Sequence, residues 1–374
     1  MPMKDLLETL RRNMPETISL LEAVVNMDSP TVDKPLVDRL VHYLGTRFQT
    51  LGGSVEYIPA ERFGDHLVAR FDGASKSRLL ILGHTDTVFP AGEVGRRPFR
   101  IENDRATGAG VFDMKAGITL IWAALRASGP LPRPVTVLLT SDEEMGSPSS
   151  RELIEREAGA ADAVLVLEPS LPGGGIKTSR KGVGRFTLMA TGRAAHAGID
   201  PSRGINAIEE IAHQIVLLQS MSDGARGTTV TVGVVQGGTR VNVVPAEAAV
   251  EIDVRITSNE EAARITELIR ALRPRLPGAT LHIRGGINRP PMERTSDTGR
   301  LFEIARKIGE ELGIRIEEGS TGGASDGNFT AAMGIPTLDG LGPIGDGAHS
   351  LEEYVEIASL PERAALIAGL IRQI

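Results

Sequence analysis

The chain has 374 residues, of which 41% are apolar and 24% are charged, and it contains no cysteine. A chain of this length exceeds one small core, so two domains are the simplest expectation. The net charge of -7, with acidic and basic residues interspersed, gives no electrostatic reason to expect nucleic acid or an anionic membrane as a partner, and the lack of cysteine excludes disulfides and thiolate metal ligands.

The N-terminal part of the chain predicts helices. Residues 1–25 carry apolar side chains at helical spacing among frequent charges, with neither a signal-peptide core nor a membrane-spanning run, which predicts a cytoplasmic location. Residues 34–51 place apolar side chains on one helical face and are followed by Gly52, which predicts a helix of about 15 residues.

Three short apolar runs follow, at residues 79–83, 135–140 and 163–167, and they alternate with helical patterns such as residues 114–128. Strands that are apolar on both faces and alternate with helices are typical of a parallel sheet that is covered on both sides. The sequence therefore predicts an α/β domain in this region.

Titratable residues follow each of these runs. His84 and Asp86 come after the first, Glu143 and Glu144 after the second, and Glu168 after the third. In an open α/β sheet, ligands bind in the crevice outside the carboxyl ends of the strands, so we expect these side chains to converge.

Two more residues fit the same pattern. Asp113 stands where a glycine-rich turn opens a helix, and His349 follows the apolar run at residues 335–341. Such an excess of negative charge in one crevice would repel itself and shift its own protonation, and bound cations resolve the problem. Histidine and carboxylate ligands suit a hard or borderline divalent cation.

Chain geometry suggests a different role for each of these residues. In extended chain, residues two apart point the same way, so Asp86 can accept the second imidazole N–H of His84 and fix its tautomer. Glu143 and Glu144 are adjacent and point differently, so one can bind metal while the other acts as general base toward water. Asp113, short and held between glycines, is suited to be shared by two cations.

The middle of the chain reads differently, as an alternation of strands and helices in the order β-α-β-β-α-β. The predicted elements are strand 182–191, helix 203–221, strands 228–238 and 246–256, helix 259–273 and strand 279–286. This order, with alternating polar and apolar residues in the third strand, indicates a ferredoxin-like α+β layer with one exposed sheet face.

The motifs GHTDTV, GAGVFDMKAG, SDEEMGS, LEPS and DGAHS occur in this order and at the separations seen in one known family. From about residue 10 to 370 the chain resembles the M20 family of di-zinc metallopeptidases and amidohydrolases. Two longer stretches, TSDEEMGSPSSRELI and TGGASDGNFTAAMGIPTLDGLG, are most similar to its glutamate carboxypeptidase branch. The resemblance implies a di-zinc exopeptidase-like catalytic domain with a mixed, mostly parallel sheet.

The resemblance also assigns roles at the metal site. It implies two divalent metal ions, zinc first, with cobalt or manganese as alternatives. One ion is held by His84, Asp113 and Glu168 and the other by Asp113, Glu144 and His349, with Glu143 as the base and Asp86 as the orienting residue.

The same resemblance implies a domain organisation and a homodimer. Residues 1–180 and 291–374 form the catalytic domain, and residues 181–290 form an inserted lid through which two subunits pair. His196, in GRAAHAG, then reaches the partner's active site to bind the developing oxyanion.

Three positions match substrate contacts of the glutamate-specific branch. Asn242 and Arg289 match residues that contact the substrate carboxylate, for which a guanidinium fork is well shaped. Gly323 opens a glycine-rich loop whose N–H groups face such a carboxylate. The chain departs from that branch after Glu168, where residues 173–175 are glycines instead of including a lysine; Lys177 is the nearest substitute.

The resulting expectation is metal-dependent hydrolysis of an amide bond that releases a C-terminal amino acid from a peptide or N-acyl amino acid. An N-acyl-amino-acid deacylase is the first alternative, because it would share every catalytic residue. A serine hydrolase is another, since GASDG fits G-x-S-x-G with Ser325 as nucleophile, Asp339 or Asp346, and His349. A binding protein without catalysis is the last.

Overall fold

A computed structural model describes residues 2–374, in which the chain folds into two units. The first comprises the chain up to Ser179 together with Arg294–Thr321 and Ser325–Ile374, and the second comprises Arg180–Glu293 and Gly322–Ala324. The lid and dimerisation role of residues 181–290 stays a prediction.

Most of the helices and strands among the described residues are short. The helices are α1 (Met3–Arg12), α2 (Met14–Val25), α3 (Lys34–Thr50), α4 (Glu93–Arg96), α5 (Ala116–Ser128), α6 (Arg151–Gly159), α7 (Ala207–Gln219), α8 (Asn259–Arg270), α9 (Ser296–Leu312), α10 (Gly327–Ala332) and α11 (Leu360–Gln373). The strands are β1 (Ser54–Ile58), β2 (His66–Phe71), β3 (Leu79–His84), β4 (Arg100–Glu102), β5 (Arg105–Thr107), β6 (Val135–Thr140), β7 (Ala163–Val166), β8 (Ile176–Arg180), β9 (Gly182–Thr191), β10 (Ala195–His196), β11 (Thr229–Gly237), β12 (Val243–Val244), β13 (Glu247–Ile256), β14 (Thr280–Arg289), β15 (Glu318–Thr321), β16 (Thr337–Leu338), β17 (Gly345–Asp346) and β18 (Tyr354–Glu356).

The first unit is built on a six-stranded sheet in the order β1-β2-β6-β3-β7-β16. Strands β6, β3, β7 and β16 run parallel, whereas at one edge β2 pairs antiparallel with β6 and β1 pairs antiparallel with β2. The predicted α/β class with a mixed, mostly parallel sheet is thereby confirmed. Which strands provide the antiparallel pairing was not predicted, because strand direction is set by partners distant in sequence.

Both faces of this sheet are covered, as the apolar runs predicted. In β3, Leu79 and Ile81 pack into one apolar cluster, which includes buried residues of α1, α3, α5 and α11. Leu80 and Leu82 point the other way into a second cluster with residues of α6 and with Phe329 of α10. Successive side chains of a strand point to opposite faces, so burial of every residue in β3 requires both layers.

A smaller sheet, β17-β18-β5-β4, carries two loops that matter for the site. Strands β17 and β18 form a hairpin whose connecting residues 347–353 include His349. Strand β18 pairs antiparallel with β5, and β5 leads into the turn that carries Asp113. The two loops therefore leave neighbouring strands of one sheet.

The second unit contains a four-stranded antiparallel sheet in the order β11-β13-β9-β14. Helices α7 and α8 pack on this sheet through residues such as Ile211 and Ile265, which join the apolar cluster of β9 and β13. The observed order β-α-β-β-α-β confirms the predicted ferredoxin-like α+β fold. Among residues 2–374, no helix is both long and apolar enough to cross a bilayer.

Candidate metal centre

Three strands of the first unit deliver titratable side chains to the same edge of the sheet. Strand β3 ends at His84, which lies level with Thr140 at the end of β6, and Leu82 lies level with Val166 at the end of β7. Parallel strands that end level place the residues that follow them side by side, as expected for the carboxyl edge of an α/β sheet.

His84 is fully buried and its ring is held in one orientation. Its Nδ1 lies 2.9 Å from the main-chain oxygen of Asp86 and 3.5 Å from that residue's carboxylate. Because a carbonyl can only accept, Nδ1 carries the proton, and the lone pair of Nε2 is directed away from it. Nε2 lies 3.2 Å from Asp113 Oδ1 and 3.6 Å from Glu168 Oε1. A lone pair facing two carboxylates is repulsive unless a proton or a cation lies between them.

Asp86 links His84 to the turn that carries the two adjacent glutamates. Its Oδ1 accepts the N–H of Glu143 at 3.3 Å, and its Oδ2 accepts the N–H of Glu144 at 3.2 Å and the hydroxyl of Thr31 at 2.8 Å. The nearer acceptor for the imidazole is the carbonyl of Asp86, so its carboxylate serves the glutamate turn more directly than the ring.

The second imidazole of the cluster, His349, completes the arrangement around Asp113. Its Nε2 lies 3.2 Å from Asp113 Oδ2 and 3.2 Å from Glu144 Oε2. Asp113 thus presents one carboxylate oxygen to each histidine. His349 is half-exposed and adopts a φ of 64°, in the left-handed region that few non-glycine residues occupy.

The charges of the cluster strongly favour a positive occupant. Hydrogen bonds to Asp113 and Glu144 raise the pKa of His349 to about 10, against the opposing effect of burial. Burial lowers the pKa of His84, but Asp113 and Asp86 outweigh it and raise the pKa well above its ordinary value. For Asp113, the two imidazoles overcome burial and lower the pKa of the carboxyl. Burial raises the pKa of Glu144 despite the nearby His349.

The donor set fits a divalent cation. His84, Asp113 and Glu144 offer ligand atoms that all lie within 4.8 Å of one another. Within residues 2–374, Glu144 Oε1 is one of the few buried side-chain oxygens without a hydrogen-bond partner, so this carboxylate has capacity for a further ligand. Imidazole and carboxylate donors are those that zinc, cobalt and manganese accept.

The turn that carries Glu143 is fixed by a buried polar network. Asp142 accepts the N–H and hydroxyl groups of both Ser149 and Ser150. Asp326 accepts the hydroxyl of Thr140 at 2.9 Å and that of Ser147. Glu143 is 8% exposed and stands on this turn, with its main-chain N–H held by Asp86.

Ser325 does not have the environment of a nucleophile. It is fully buried, its hydroxyl donates to Asp339 and it accepts the N–H of Gly327 at 3.1 Å. The imidazole expected to activate it, His349, has its Nε2 against Asp113 and Glu144 instead. The geometry therefore gives no support to the serine hydrolase alternative.

The remaining predicted site residues lie in the second unit. His196 is exposed in β10, and its Nδ1 accepts the N–H groups of Gly198 and Ile199. Asn242 is exposed, and its carbonyl accepts the N–H of Ala197 at 3.0 Å.

The two other predicted substrate contacts belong to the same unit. Arg289 is buried at the end of β14. Gly323 is exposed, and its carbonyl accepts from Arg180 at 3.2 Å. The roles of all four second-unit residues stay predictions.

Thr31 and Glu353 are among the supporting residues that sequence reasoning missed. The Thr31 hydroxyl binds Asp86 across 55 residues, and the buried Glu353 accepts the N–H groups of Gly110 and Phe112 in the turn before Asp113. Neither has a local motif. The one signal was the position of Glu353 four residues after His349 in a short loop.

Comparisons with known proteins agree over nearly the whole chain. Residues 80–373 match peptidase family M20/M25/M40. Carboxypeptidase G2 of Pseudomonas sp. (strain RS-16) is 32% identical over 96% of this chain and 89% of its own length. Acetylornithine deacetylase of Pectobacterium carotovorum subsp. carotovorum (strain PC1) is 28% identical over 97% and 98%. Among solved structures, aminopeptidase PepT from Bacillus cereus ATCC 10987 shares the fold with a TM-score of 0.80 at 22% identity, covering 96% of this chain and 98% of its own.

Proposed function

The chain belongs to peptidase family M20/M25/M40, and on that basis we propose that it hydrolyses the amide bond joining an acyl group or peptide to a C-terminal amino acid. The support for this substrate class is the 32% identity to carboxypeptidase G2, over 96% of this chain and 89% of that protein. The released amino acid leaves with a free carboxylate.

One observation carries this proposal. The carboxylate of Asp113 stands between two imidazoles, 3.2 Å from His84 on one oxygen and 3.2 Å from His349 on the other. An arrangement with a histidine at each end and a carboxylate in the middle offers two adjoining cation positions, and paired cations are a recurrent device of hydrolases.

We propose that the cluster holds two divalent cations, zinc first and cobalt or manganese as alternatives. The ligands would be His84, Asp113 and Glu168 for one cation and Asp113, Glu144 and His349 for the other. Bound there, the cations would polarise the scissile carbonyl and make a water molecule acidic enough to attack at neutral pH.

In this proposal Glu143 is the general base. It removes a proton from the attacking water, whose oxygen bonds to the carbonyl carbon, and it returns that proton to the amine nitrogen as the C–N bond breaks. Its support is its place beside Glu144, on a turn whose N–H groups Asp86 holds. Asp86 also accepts the Nδ1–H of His84 through its carbonyl, which leaves Nε2 available as a ligand.

The second unit would complete the site. We propose that two copies of the chain pair through this unit and that His196 of the partner subunit stabilises the oxyanion. Its support is the exposure of the ring and the use of Nδ1 as an acceptor, which leaves the proton on Nε2 as a donor. Asn242, Arg289 and the N–H of Gly323 would contact the substrate carboxylate.

A second function, N-acyl-amino-acid deacylase, is favoured by the 28% identity to an acetylornithine deacetylase. A substrate panel separates the two. Purified protein with added zinc would be assayed on N-acyl amino acids, folate-like glutamyl amides and dipeptides, with Glu143→Gln as the inactive control. A ranking led by substrates with C-terminal glutamate supports the carboxypeptidase, one led by acetylated amino acids supports the deacylase, and turnover that survives 1,10-phenanthroline contradicts both.

A further inference from the structure

Glu353 is a buried acid that is not one of the proposed metal ligands. It connects the loop of His349 to the turn that carries Asp113. It lies directly before β18, at the end of the loop that carries His349, and it is fully buried. A buried carboxylate has a large desolvation cost, so it persists only where specific donors satisfy it.

Its donors are backbone N–H groups of the turn that precedes Asp113. One carboxylate oxygen accepts the N–H of Gly110 and the other accepts the N–H of Phe112 at 3.3 Å. Gly110 has a φ of 73°, and a Cβ there would lie 2.5 Å from the Thr87 side chain. The turn is therefore a compact concavity of N–H groups, a geometry that suits an anion.

The same turn is also held by Lys115, which is 1% exposed. Its ammonium donates to the carbonyl of Ala109 at 3.1 Å and to that of Met27 at 2.7 Å. The carboxyl group of Glu353 thus holds N–H groups of the turn, and the ammonium of Lys115 holds one of its carbonyls. This leaves little freedom for residues 109–113.

The sheet explains why such a link is needed. The backbone ladder between β18 and β5 ends at the pair Tyr354 and Thr107. Beyond it, the loop of His349 and the turn of Asp113 have no mutual main-chain pairing among the bonds of the described residues. The side chain of Glu353 makes the connection that the ladder no longer provides.

We propose that Glu353 is a positioning residue that holds Asp113 and His349 at the spacing required by the second cation, a role that rests on the proposed function. His84 ends β3 and Glu168 follows β7 in the large sheet, so of the ligands of the first cation only the shared Asp113 depends on this link, whereas the second cation depends on it through both Asp113 and His349. Loss of Glu353 should therefore weaken the cation held by His349 more than the cation held by His84.

The test compares Glu353→Gln with Glu352→Gln in the full chain. Glutamine has nearly the same shape but presents an NH₂ group where Glu353 has an acceptor, so one of the two N–H donors loses its partner. Glu352 is the exposed neighbour and serves as the matched control. Metal-free proteins would be titrated with Zn²⁺ by calorimetry and with Co²⁺ by visible absorption, and His349→Ala would identify which binding step belongs to the second cation.

We expect two metal-binding steps in the unmodified protein and in Glu352→Gln. In Glu353→Gln the step that His349→Ala removes should weaken at least 10-fold, within the range of about 10–100-fold for residues that orient metal ligands, while the other step changes less than about threefold. The Co²⁺ spectrum of the first equivalent should be unchanged.

The outcomes separate the two proposals. The role of Glu353 would be overturned if both metal-binding steps of Glu353→Gln had affinities within about threefold of those of the unmodified protein, or if both affinities fell equally. Absence of two steps in the unmodified protein would overturn the metal site itself. Should Glu353→Gln not fold, Glu353→Asp keeps both acceptor oxygens but shortens the reach, and we expect it to weaken the same step; unweakened binding there counts against the proposal.

Discussion

Arg363 provides the most direct test of how the first unit holds its active-site segments. The guanidinium is 1% exposed and donates to three carbonyls, those of Gly342 at 2.8 Å, Gly174 at 2.7 Å and Gly340 at 2.7 Å. Gly342 in turn donates its N–H to the carbonyl of Glu168 at 2.8 Å. Arg363 thus joins Gly174, which follows the proposed metal ligand Glu168 in the chain, to the segment whose Gly342 is hydrogen-bonded to Glu168.

Replacing Arg363 by methionine keeps most of the length of the side chain and removes every donor. Burial alone lowers the pKa of this arginine to about 10, so it is charged at pH 7 and its desolvation has already been offset by the three bonds. Three buried carbonyls lose their donors at about 1–3 kcal/mol each, at most roughly 9 kcal/mol together. Because some of them regain a partner when the variant relaxes, we expect a loss of roughly 3–5 kcal/mol in the free energy of unfolding. At about 2–4 °C per kcal/mol, the melting temperature should fall by roughly 6–20 °C.

Chemical denaturation and thermal unfolding of the metal-free protein measure this effect. Arg315→Met is the matched control, because that side chain is 87% exposed and its substitution should change the free energy of unfolding by less than about 0.5 kcal/mol. Arg363→Lys should restore less than half of the loss, since an ammonium lacks the planar fork. A methionine variant within about 1 kcal/mol of the unmodified protein, or full rescue by lysine, would refute the reasoning.

Three further predictions address the base, the second unit and pH. Glu143→Gln should lower kcat by about 10²–10⁴ with unchanged metal content, and turnover near that of the unmodified enzyme would contradict its role as base. His196→Ala should lose activity and keep its metal, and mixing it with Glu143→Gln should recover activity in heterodimers; no recovery argues against a contribution from the partner subunit. Bonds from Arg264 first, and then Thr228 and Arg226, lower the pKa of Glu261 to about 2 despite burial, so its contribution is present above pH 4.5 and is lost as the pH falls toward 2. After discounting for the exposure of Arg226, Glu261→Gln should lower the free energy of unfolding by about 1–2 kcal/mol at pH 7 in denaturant titrations. If the difference in free energy between the variant and the unmodified protein did not narrow from pH 6 to pH 3, the lowered pKa of Glu261 would be contradicted.

Much of the fold was predictable because its signals are local. The runs that became β3, β6 and β7 are apolar at nearly every position, and the alternation in β13 separates a buried face from a partly exposed one. The antiparallel edge formed by β1 and β2 escaped prediction because strand direction is set by partners distant in sequence.

In the candidate site too, some residues have local sequence signals and others are placed only by contacts between distant parts of the chain. His84, Glu144 and Glu168 could be grouped because strand ends of a parallel sheet meet at one edge, and Asp113 and His349 because of their loops. Residues that support them could not be found in this way. Arg363 binds a carbonyl 189 positions away, and Glu353 reaches a turn 243 positions away, so only the folded chain brings these groups together.

The cation pair is the central claim, and elemental analysis of the purified protein tests it most directly. After equilibration with Zn²⁺ and removal of free metal, we expect about two zinc ions per chain, falling to about one in His349→Ala, with turnover abolished by chelation and restored by added metal. A folded, active protein that retains turnover with less than about 0.2 ions of any divalent metal per chain would contradict the account.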